Sequence, residues 1–561
     1  MNPSNFSGSK FTSMHHKLAL LAAILFVSTA TMAQHGKDTT KQSINIVSSF
    51  KPVLRNAVKI DFSGSQLNAD TSKNVKAYNI PSQNLFYAYQ AIALKPLALQ
   101  QDSNLYLGSR NFIKAGFGNY TTPYVKLGLG FGDGKKFLVN AYANYISSNG
   151  NITNQDYSQL DIKATGSYFL KKNEIYASAG TSRDVYYLYG YDHTVVSPAR
   201  KEIRQDFQQV NVTGGVRNTV STQYAISYNP NFQANFFTNK DLLSETSVII
   251  DVPVEKKFGE NFTVKLDAKA DITKYTTKNF IPNNFDFSNN VEQLSPSLVY
   301  NSSRLIINGG IIPTWNNGKF VYLPNVYAEA QIKDQVFMVQ AGWVGRIIKN
   351  TFRNLSEINP YISTLTLQTN TQEIEFYTGI KATLAKHFNV NAKVGFVHYK
   401  DFALFINDTS AAGAYYSGFK VSNEPTMHDL RVHGDISYIS QDKFTATAGI
   451  TLNGYTGLHV NDKAWNTVPL EFTGSVRWWA LDKLLVKGDF YLFGGGKYLG
   501  KANQAYAFPG GSDLSAGAEY KINRQFSAFF DVNNIFNNKY QRWHNYEVYG
   551  VNFLGGVIFR F

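Results

Sequence analysis

Four side chains capable of acid–base chemistry lie two residues apart along one segment of the chain: Asp429, Arg431, His433 and Asp435. Because side chains alternate faces along a strand, the four would share one face and bring two carboxylates close to an imidazole. Charges that compensate one another on a polar wall have the same spacing, and no catalytic triad can be assembled around these residues. We therefore predict a charged wall and not an enzyme.

Neither the histidines nor the glycines form a pattern typical of a metal or phosphate site. His428 and His433 are five residues apart, so on a strand they point to opposite faces and cannot share a metal. Glycines recur at every second position, at Gly128, Gly130, Gly132 and Gly134. This spacing is typical of a strand that leads into a turn, whereas a phosphate loop opens a helix. With no cysteine in the chain, we expect no metal and no cofactor.

A run of tyrosines supplies the candidate ligand contacts, at Tyr186, Tyr187, Tyr189 and Tyr191. Recognition is usually carried by loops, and such a cluster near a rim could bind a sugar or another planar ligand. The same rings could instead continue a strand into the aromatic belt of a membrane interface. Both interpretations remain open at this point.

The elements that must position these residues are long alternating strands. In the segment 262–273, every even position carries an apolar side chain or alanine, and every odd position carries threonine, lysine or aspartate. Such segments run over about 10 to 14 residues, longer than the strands of most soluble sheets, and about ten tilted residues cross a bilayer core. The alternation predicts one lipid-facing and one polar face per strand.

The connections indicate how many strands there are. About ten tight turns alternate with about eleven other links, which predicts an all-β fold: an antiparallel transmembrane β-barrel of about 22 strands, within roughly 20 to 24. The barrel is expected to span 111–561, with both of its ends on the periplasmic side. The longest links are predicted at 348–371 and 401–427 and could narrow the pore.

The region before the barrel begins with a targeting segment. Leu18 to Val27 is apolar, and small residues lead to a plausible cleavage point between Ala33 and Gln34, which is typical of a secretory signal peptide over 1–33. Residues 34–110 then form an N-terminal segment, expected in the periplasm or in the barrel lumen. A signal peptide followed by a barrel predicts the outer membrane of a Gram-negative bacterium.

Composition agrees with a membrane barrel and argues against nucleic acid as a partner. Aromatic residues make up 15% of the chain, which suits the aromatic girdles at the two membrane interfaces. The formal net charge is +14, but lysine and arginine are spread over turns and strand faces and form no basic helix or cluster. We expect a positive lumen or contact with outer-membrane lipid.

The last strand carries a closing signal. Phe553, Val557, Phe559 and Phe561 share one face, and an aromatic terminal strand of this kind is what the outer-membrane barrel assembly machinery recognises. Just upstream, the stretch Asn534 to Tyr540 reads Asn-Ile-Phe-Asn-Asn-Lys-Tyr. It resembles the C-terminal end of TonB-dependent receptors. The resemblance implies a receptor-sized barrel, transport of a solute across the outer membrane, and TonB as a possible partner.

The front of the chain departs from that family. The segment 34–110 is too short for the plug domain of the receptors and lacks its glycine-rich pattern, so the resemblance supports a barrel without the standard plug. Within it, Ile44, Asn45, Ile46, Val47 and Ser48 are similar in place and composition to the TonB box, which pairs with its partner as an added strand. An ordinary edge strand has the same composition.

Two hypotheses for function follow from the sequence. The first is transport of a solute through a polar lumen, as a receptor-like transporter or a constricted porin-like pore. The second is a non-transporting scaffold or assembly subunit, in which the barrel is an anchor and the N-terminal segment and loops bind other envelope proteins.

Overall fold

The computed structural model describes residues 111–240, 242–278, 286–333, 336–363, 369–384, 387–407, 418–440, 443–500 and 504–561. The predicted cleavage point at Ala33 and Gln34 and the TonB-box-like segment Ile44 to Ser48 lie outside these residues. In the part of the chain that the structure describes, no helix is both long enough and apolar enough to cross a membrane.

The described chain forms one large antiparallel sheet that closes on itself. Its strands are β1 (Phe112–Gly118), β2 (Thr122–Gly132), β3 (Phe137–Ser148), β4 (Tyr157–Phe169), β5 (Asn173–Tyr187), β6 (Arg204–Asn218), β7 (Ile226–Tyr228), β8 (Asn231–Asn239), β9 (Leu243–Phe258), β10 (Phe262–Thr277), β11 (Asp286–Asn301), β12 (Leu305–Asn316), β13 (Lys319–Lys333), β14 (Phe337–Ile348), β15 (Thr371–Leu384), β16 (Phe388–Asn407), β17 (Phe419–Ser440), β18 (Phe444–Thr456), β19 (Leu470–Leu481), β20 (Leu484–Gly494), β23 (Gly511–Lys521), β24 (Phe526–Asn533) and β27 (Asn552–Arg560). Two small hairpins, β21 (Lys497–Leu499) with β22 (Ala505–Ala507) and β25 (Gln541–Trp543) with β26 (Tyr546–Glu547), lie in the connections.

The barrel has 22 wall strands, which confirms the predicted number. Strands β7 and β8 form one of them, because both pair with β9 and only Asn229 and Pro230 separate them. Proline has no N–H to donate, so the ladder is interrupted there. The wall closes where β27 pairs with β24 on one side and with β1 on the other.

The alternation predicted for the strands is present in the wall. On β10, Phe262, Val264 and Leu266 are exposed on the outer surface, and the polar side chains between them face the lumen. On β27, Phe553 and Val557 are exposed on the same outer surface. Large exposed apolar side chains occur on every wall strand except β20. Such a surface is stable only against lipid, so the barrel is a transmembrane barrel.

The two ends of the barrel differ. Ten short turns lie at the end where β1 starts and β27 finishes, and eleven further links lie at the other end. Four of those links are named loop A (188–203), loop B (349–370), loop C (457–469) and loop D (534–551). Loop B contains the helix α1 (Phe352–Ile358), and loop D contains the hairpin β25–β26. By the rule for bacterial barrels, the end with the longer links faces outward.

The prediction of a loop over 401–427 is wrong. Strand β16 continues to Asn407 and β17 begins at Phe419, so the two form a hairpin that rises above the wall. Both neighbouring strands stop earlier, at the pairs Gln372 with Lys400 and His428 with Thr456. The sequence suggested a break because Asp401, which has a positive φ of 54°, lies opposite Pro425. The remaining backbone pairs continue the ladder on both sides of that position.

Candidate functional site

The lumen wall consists of charged side chains in pairs. Lys487 lies 2.9 Å and Lys114 lies 3.8 Å from carboxylate oxygens of Asp531, and Arg560 lies 2.6 Å from Glu519. Each of these basic groups faces an acid on the same inner surface. Charge is therefore compensated locally along this part of the wall, while the net positive charge expected of the lumen stays a prediction.

The densest group of charges lies on β15, β16 and β17. The ammonium of Lys393 is 3.1 Å from a carboxylate oxygen of Glu375, and both side chains are buried. Arg431 donates to Asp429 at 3.2 Å and to the Tyr399 hydroxyl. A buried charge persists only when it is paired in this way, so the group fixes three adjacent strands relative to one another.

The residues predicted to share a face do share it, without forming a catalytic arrangement. Asp429 accepts from Arg431 and from the Gly454 backbone N–H. The His433 ring contacts Asp435 at 3.3 Å and the Thr451 hydroxyl at 2.9 Å. Both carboxylates are thus engaged by neighbours on the wall. Across the described residues, no group of three or more histidine or acidic side chains is arranged to hold a metal.

A cluster of aromatic rings lies over the outer end of the barrel. We call it the mouth cluster; its members are Tyr189, Tyr361, Phe405, Phe419, Trp543 and Tyr546. They come from loop A after β5, loop B after β14, the β16–β17 hairpin, and loop D before β27. Because these elements start far apart around a closed ring of strands, their side chains can meet only across the opening of the barrel.

The rings of the mouth cluster are in direct contact. Tyr361 and Tyr546 stack with centroids 3.5 Å apart, and Tyr189 meets Tyr546 edge-on at 4.9 Å. Trp543 lies edge-on to both Phe405, at 5.2 Å, and Phe419, at 5.4 Å. Tyr361, Trp543 and Tyr546 expose 0%, 1% and 2% of their surfaces. Such burial makes this aromatic group the core of a lid and not an open binding surface.

Loop D is the element that joins the others. The Tyr189 hydroxyl donates to the Glu547 carbonyl oxygen at 2.7 Å, and the Gln155 amide donates to the same oxygen at 2.9 Å. Arg542 donates to the Asn466 carbonyl oxygen in loop C at 3.1 Å. The hairpin β25–β26 therefore contacts connections on several sides of the barrel.

The candidate ligand contacts are in or beside this lid. Tyr186, Tyr189 and Tyr191 are buried, and the Asn154 amide donates to the Tyr191 hydroxyl at 2.8 Å. Tyr187 is half-buried, and the Arg200 guanidinium lies 4.1 Å from the centre of its ring. Their role in ligand contact stays a prediction, and in the structure described here their partners are protein groups.

Burial also fixes the charge state of the lid. Removal from water raises the pKa of the Tyr361 and Tyr546 phenols well above the ordinary value of 10.0. The same cause lowers the pKa of His544, whose ring stacks on Tyr498 with centroids 3.9 Å apart. The phenols are neutral at pH 7 even at their ordinary pKa, and the lowered pKa of His544 favours its neutral form, which suits an apolar contact.

A carboxylate fastens loop C to the raised hairpin. Glu424 is fully buried and accepts from the backbone N–H groups of His459 at 2.7 Å, Val460 at 3.1 Å and Asn461 at 2.8 Å. Burial alone would raise the pKa of Glu424, but these N–H groups outweigh it and hold the pKa below the ordinary 4.5. The charged form is therefore the one that holds loop C in place.

We expect Glu424→Gln to loosen loop C without unfolding the wall. The neutral amide forms weaker bonds to the three N–H groups, at a cost of roughly 1–3 kcal/mol. Hydrogen exchange of amides 459–461 should accelerate about tenfold or more. In the native chain the stabilisation is full above pH 4.5 and is lost as the pH falls through the lowered pKa of Glu424. Glu202→Gln, at an exposed position in loop A, is the control; equal exchange in both variants would contradict this role.

The sequence did not reveal the lid because its members are distant along the chain. The run Gln541 to Glu547 contains two aromatic residues, and this local density of aromatic residues is the signal in the sequence that points to the lid. Phe405 and Phe419 fall in the stretch that was predicted to be a loop. No local pattern indicates that these rings meet.

No protein-family model and no curated protein sequence matches the chain. Solved structures do match. The FrpB iron transporter from Neisseria meningitidis aligns with 80% of this chain and 81% of its own, at 11% identity and a TM-score of 0.62. The siderophore receptor PirA from Acinetobacter baumannii aligns with 80% of each chain, at 10% identity and a TM-score of 0.62.

The ferripyoverdine receptor of the outer membrane of Pseudomonas aeruginosa is also similar. It matches over 81% of this chain and 72% of its own, at 12% identity and a TM-score of 0.59. At identities this low, the structural similarity establishes the fold alone. The chain forms a closed barrel with the fold of TonB-dependent receptors, which confirms the fold that its C-terminal residues led us to expect.

Proposed function

We propose that the protein carries a polar solute across the outer membrane through its lumen and that the mouth cluster is the outer gate of this path. The observation that carries the proposal is the polar inner wall of the 22-strand barrel. On β4, Asp161 and Lys163 face inward and are exposed, so water reaches this part of the lumen. Barrels of the same fold named as iron transporter and siderophore receptor support transport over catalysis.

The absence of cysteine allows a direct test of the path. Lys163→Cys places a single thiol in the lumen, and Ala164→Cys places one on the lipid face of the same strand. The full-length proteins are inserted into planar bilayers, and single-channel currents are recorded before and after a bulky, water-soluble thiol reagent. We expect brief openings whose current falls after modification of the Lys163→Cys protein.

The Ala164→Cys protein is the matched control and should conduct unchanged. Transport through the lumen is excluded if full-length protein shows no openings at any voltage, or if the lumenal adduct leaves the current of each opening unaltered. Copurification with one fixed envelope protein, in the absence of any current, would favour the scaffold hypothesis instead.

Coupling to a periplasmic partner is a separate part of the proposal. The segment Ile44 to Ser48, whose composition is similar to that of the TonB box, would pair with TonB or a similar protein by strand addition. The motif near the C-terminus supports this pairing only through resemblance. Energised opening would then act on the lid from below.

A further inference from the structure

Two histidines meet at the rim of the wall, at the base of the β16–β17 hairpin. His398 on β16 lies directly opposite His428 on β17. Their Nδ1 atoms are 3.2 Å apart, and the ring centroids are 4.8 Å apart. On the other side of β17, His428 is paired with Thr456, the last residue of β18, so the imidazoles lie where the hairpin leaves the wall.

The His428 ring is held on two sides. It stacks on Phe396, with centroids 5.5 Å apart and an interplanar angle of 21°. Gly457 has a φ of +68°, and a side chain at that position would overlap the His428 ring. The ring therefore fills space that only glycine leaves free, and its orientation is set before any ligand arrives.

The separation of the two nitrogens suits a shared metal ion. Imidazole nitrogens bind Zn²⁺ at about 2.0–2.1 Å, and two ligands at a tetrahedral angle would then lie about 3.3 Å apart. The observed 3.2 Å agrees with that value. His433 cannot contribute, because it faces the lumen and contacts Asp435 and Thr451.

We propose that His398 and His428 form a rim site for a divalent transition-metal ion, of the class of Zn²⁺, Ni²⁺ or Cu²⁺. These ions accept imidazole nitrogen readily, whereas Mg²⁺ and Ca²⁺ prefer oxygen. Water would complete the coordination, so the site is weaker than one with three or four protein ligands. The exposed Lys400 lies two residues after His398 on the same face of β16, and its long side chain can place its charged group in water.

Metal at this position would tie β16 to β17 beneath the lid. The hairpin carries Phe405 and Phe419 to the mouth cluster, and its own neighbours end at Gln372 and Thr456. A bound ion at the base would thus restrain the segment that leaves the wall. Occupancy would favour the closed lid.

The test is metal binding by the full-length protein without an affinity tag, purified in detergent. Cu²⁺ is titrated and followed by electron paramagnetic resonance, and Zn²⁺ by calorimetry. We expect one ion per chain, with a nitrogen hyperfine pattern from two imidazoles, for the native protein and for His433→Asn. Binding should be lost in His398→Asn and, independently, in His428→Asn.

Each variant is first shown to be folded by its faster migration on unheated detergent gels. If His428→Asn disturbs the packing against Phe396, the His398→Asn protein still decides the matter. The proposal is overturned if the native protein binds no more metal than the two variants, which would leave a hydrogen-bonded histidine pair only. It is equally overturned if both variants keep the native stoichiometry.

Discussion

Replacing Trp543 and Tyr546 together by alanine is expected to turn a mostly closed barrel into a conducting one. The two residues pair across the hairpin β25–β26, and their rings contact Phe405, Phe419 and Tyr361. Removing a buried aromatic side chain costs roughly 3–5 kcal/mol, and every 1.4 kcal/mol changes a population about tenfold. Because the lost contacts hold the lid and not the wall, the open time in planar bilayers should rise at least about tenfold.

The matched control is a second cross-strand aromatic pair, Trp343 with Phe376, on the lipid face of β14 and β15. Its double alanine variant removes aromatic rings of similar size and should leave the open time at the native level. An unchanged open time in the Trp543 and Tyr546 variant would mean that the mouth cluster is not the gate. Equal increases in both variants would indicate general loosening of the barrel.

Gly556→Val is expected to prevent closure of the barrel. Gly556 pairs with Gly116 where β27 meets β1, and a side chain at Gly556 would overlap the backbone carbonyl oxygen of Ala115. At Gly116 a Cβ would lie 2.7 Å from the carbonyl oxygen of Gly555. A clash with backbone cannot be relieved by a change of rotamer, and overpacking costs roughly 1–3 kcal/mol, occasionally more. The folded fraction should fall at least about tenfold.

The folded fraction is measured as the heat-modifiable band after refolding into detergent or lipid. Gly309→Val is the control, because Gly309 lies on β12 and has no atom within 4 Å of its Cβ position. Valine favours strands, so a loss at Gly556 alone cannot come from propensity. A native yield of folded Gly556→Val protein would show that the seam between β1 and β27 tolerates a wider spacing.

The wall was predictable because its signal is local. Alternation along segments such as β10 predicts which side chains face lipid, and the short polar turns predict the number of strands. Neither prediction needs to know which strands pair with each other. The loop over 401–427 was wrongly predicted because Asp401 and Pro425 are residue types that usually end strands. In the structure, the ladder between β16 and β17 is interrupted only at that one position. A prediction from local pattern has no means of seeing that pairing resumes beyond it.

The lid and the histidine pair depend on register between distant strands. The sequence places His428 near His433 on the same strand, whereas its partner is His398, thirty residues earlier and directly opposite. Likewise Tyr189, Tyr361 and Tyr546 meet only because closure of the ring brings three loops over one opening. Such contacts follow from topology, so the sequence predicted the lumen wall far better than the site above it.

The position of loop D next to β27 has a consequence for biogenesis. The hairpin that seals the mouth is anchored on one side by β24 and on the other by the strand that completes the wall. Until β27 docks on β1, this hairpin and β27 are held to the wall only through β24. Pairing of β27 with β1 would therefore close the wall and the lid in one event. The outer membrane would then not contain a barrel whose wall is complete but whose mouth is open. Chains stalled before that step should sensitise cells to bulky antibiotics even though their other strands are in place.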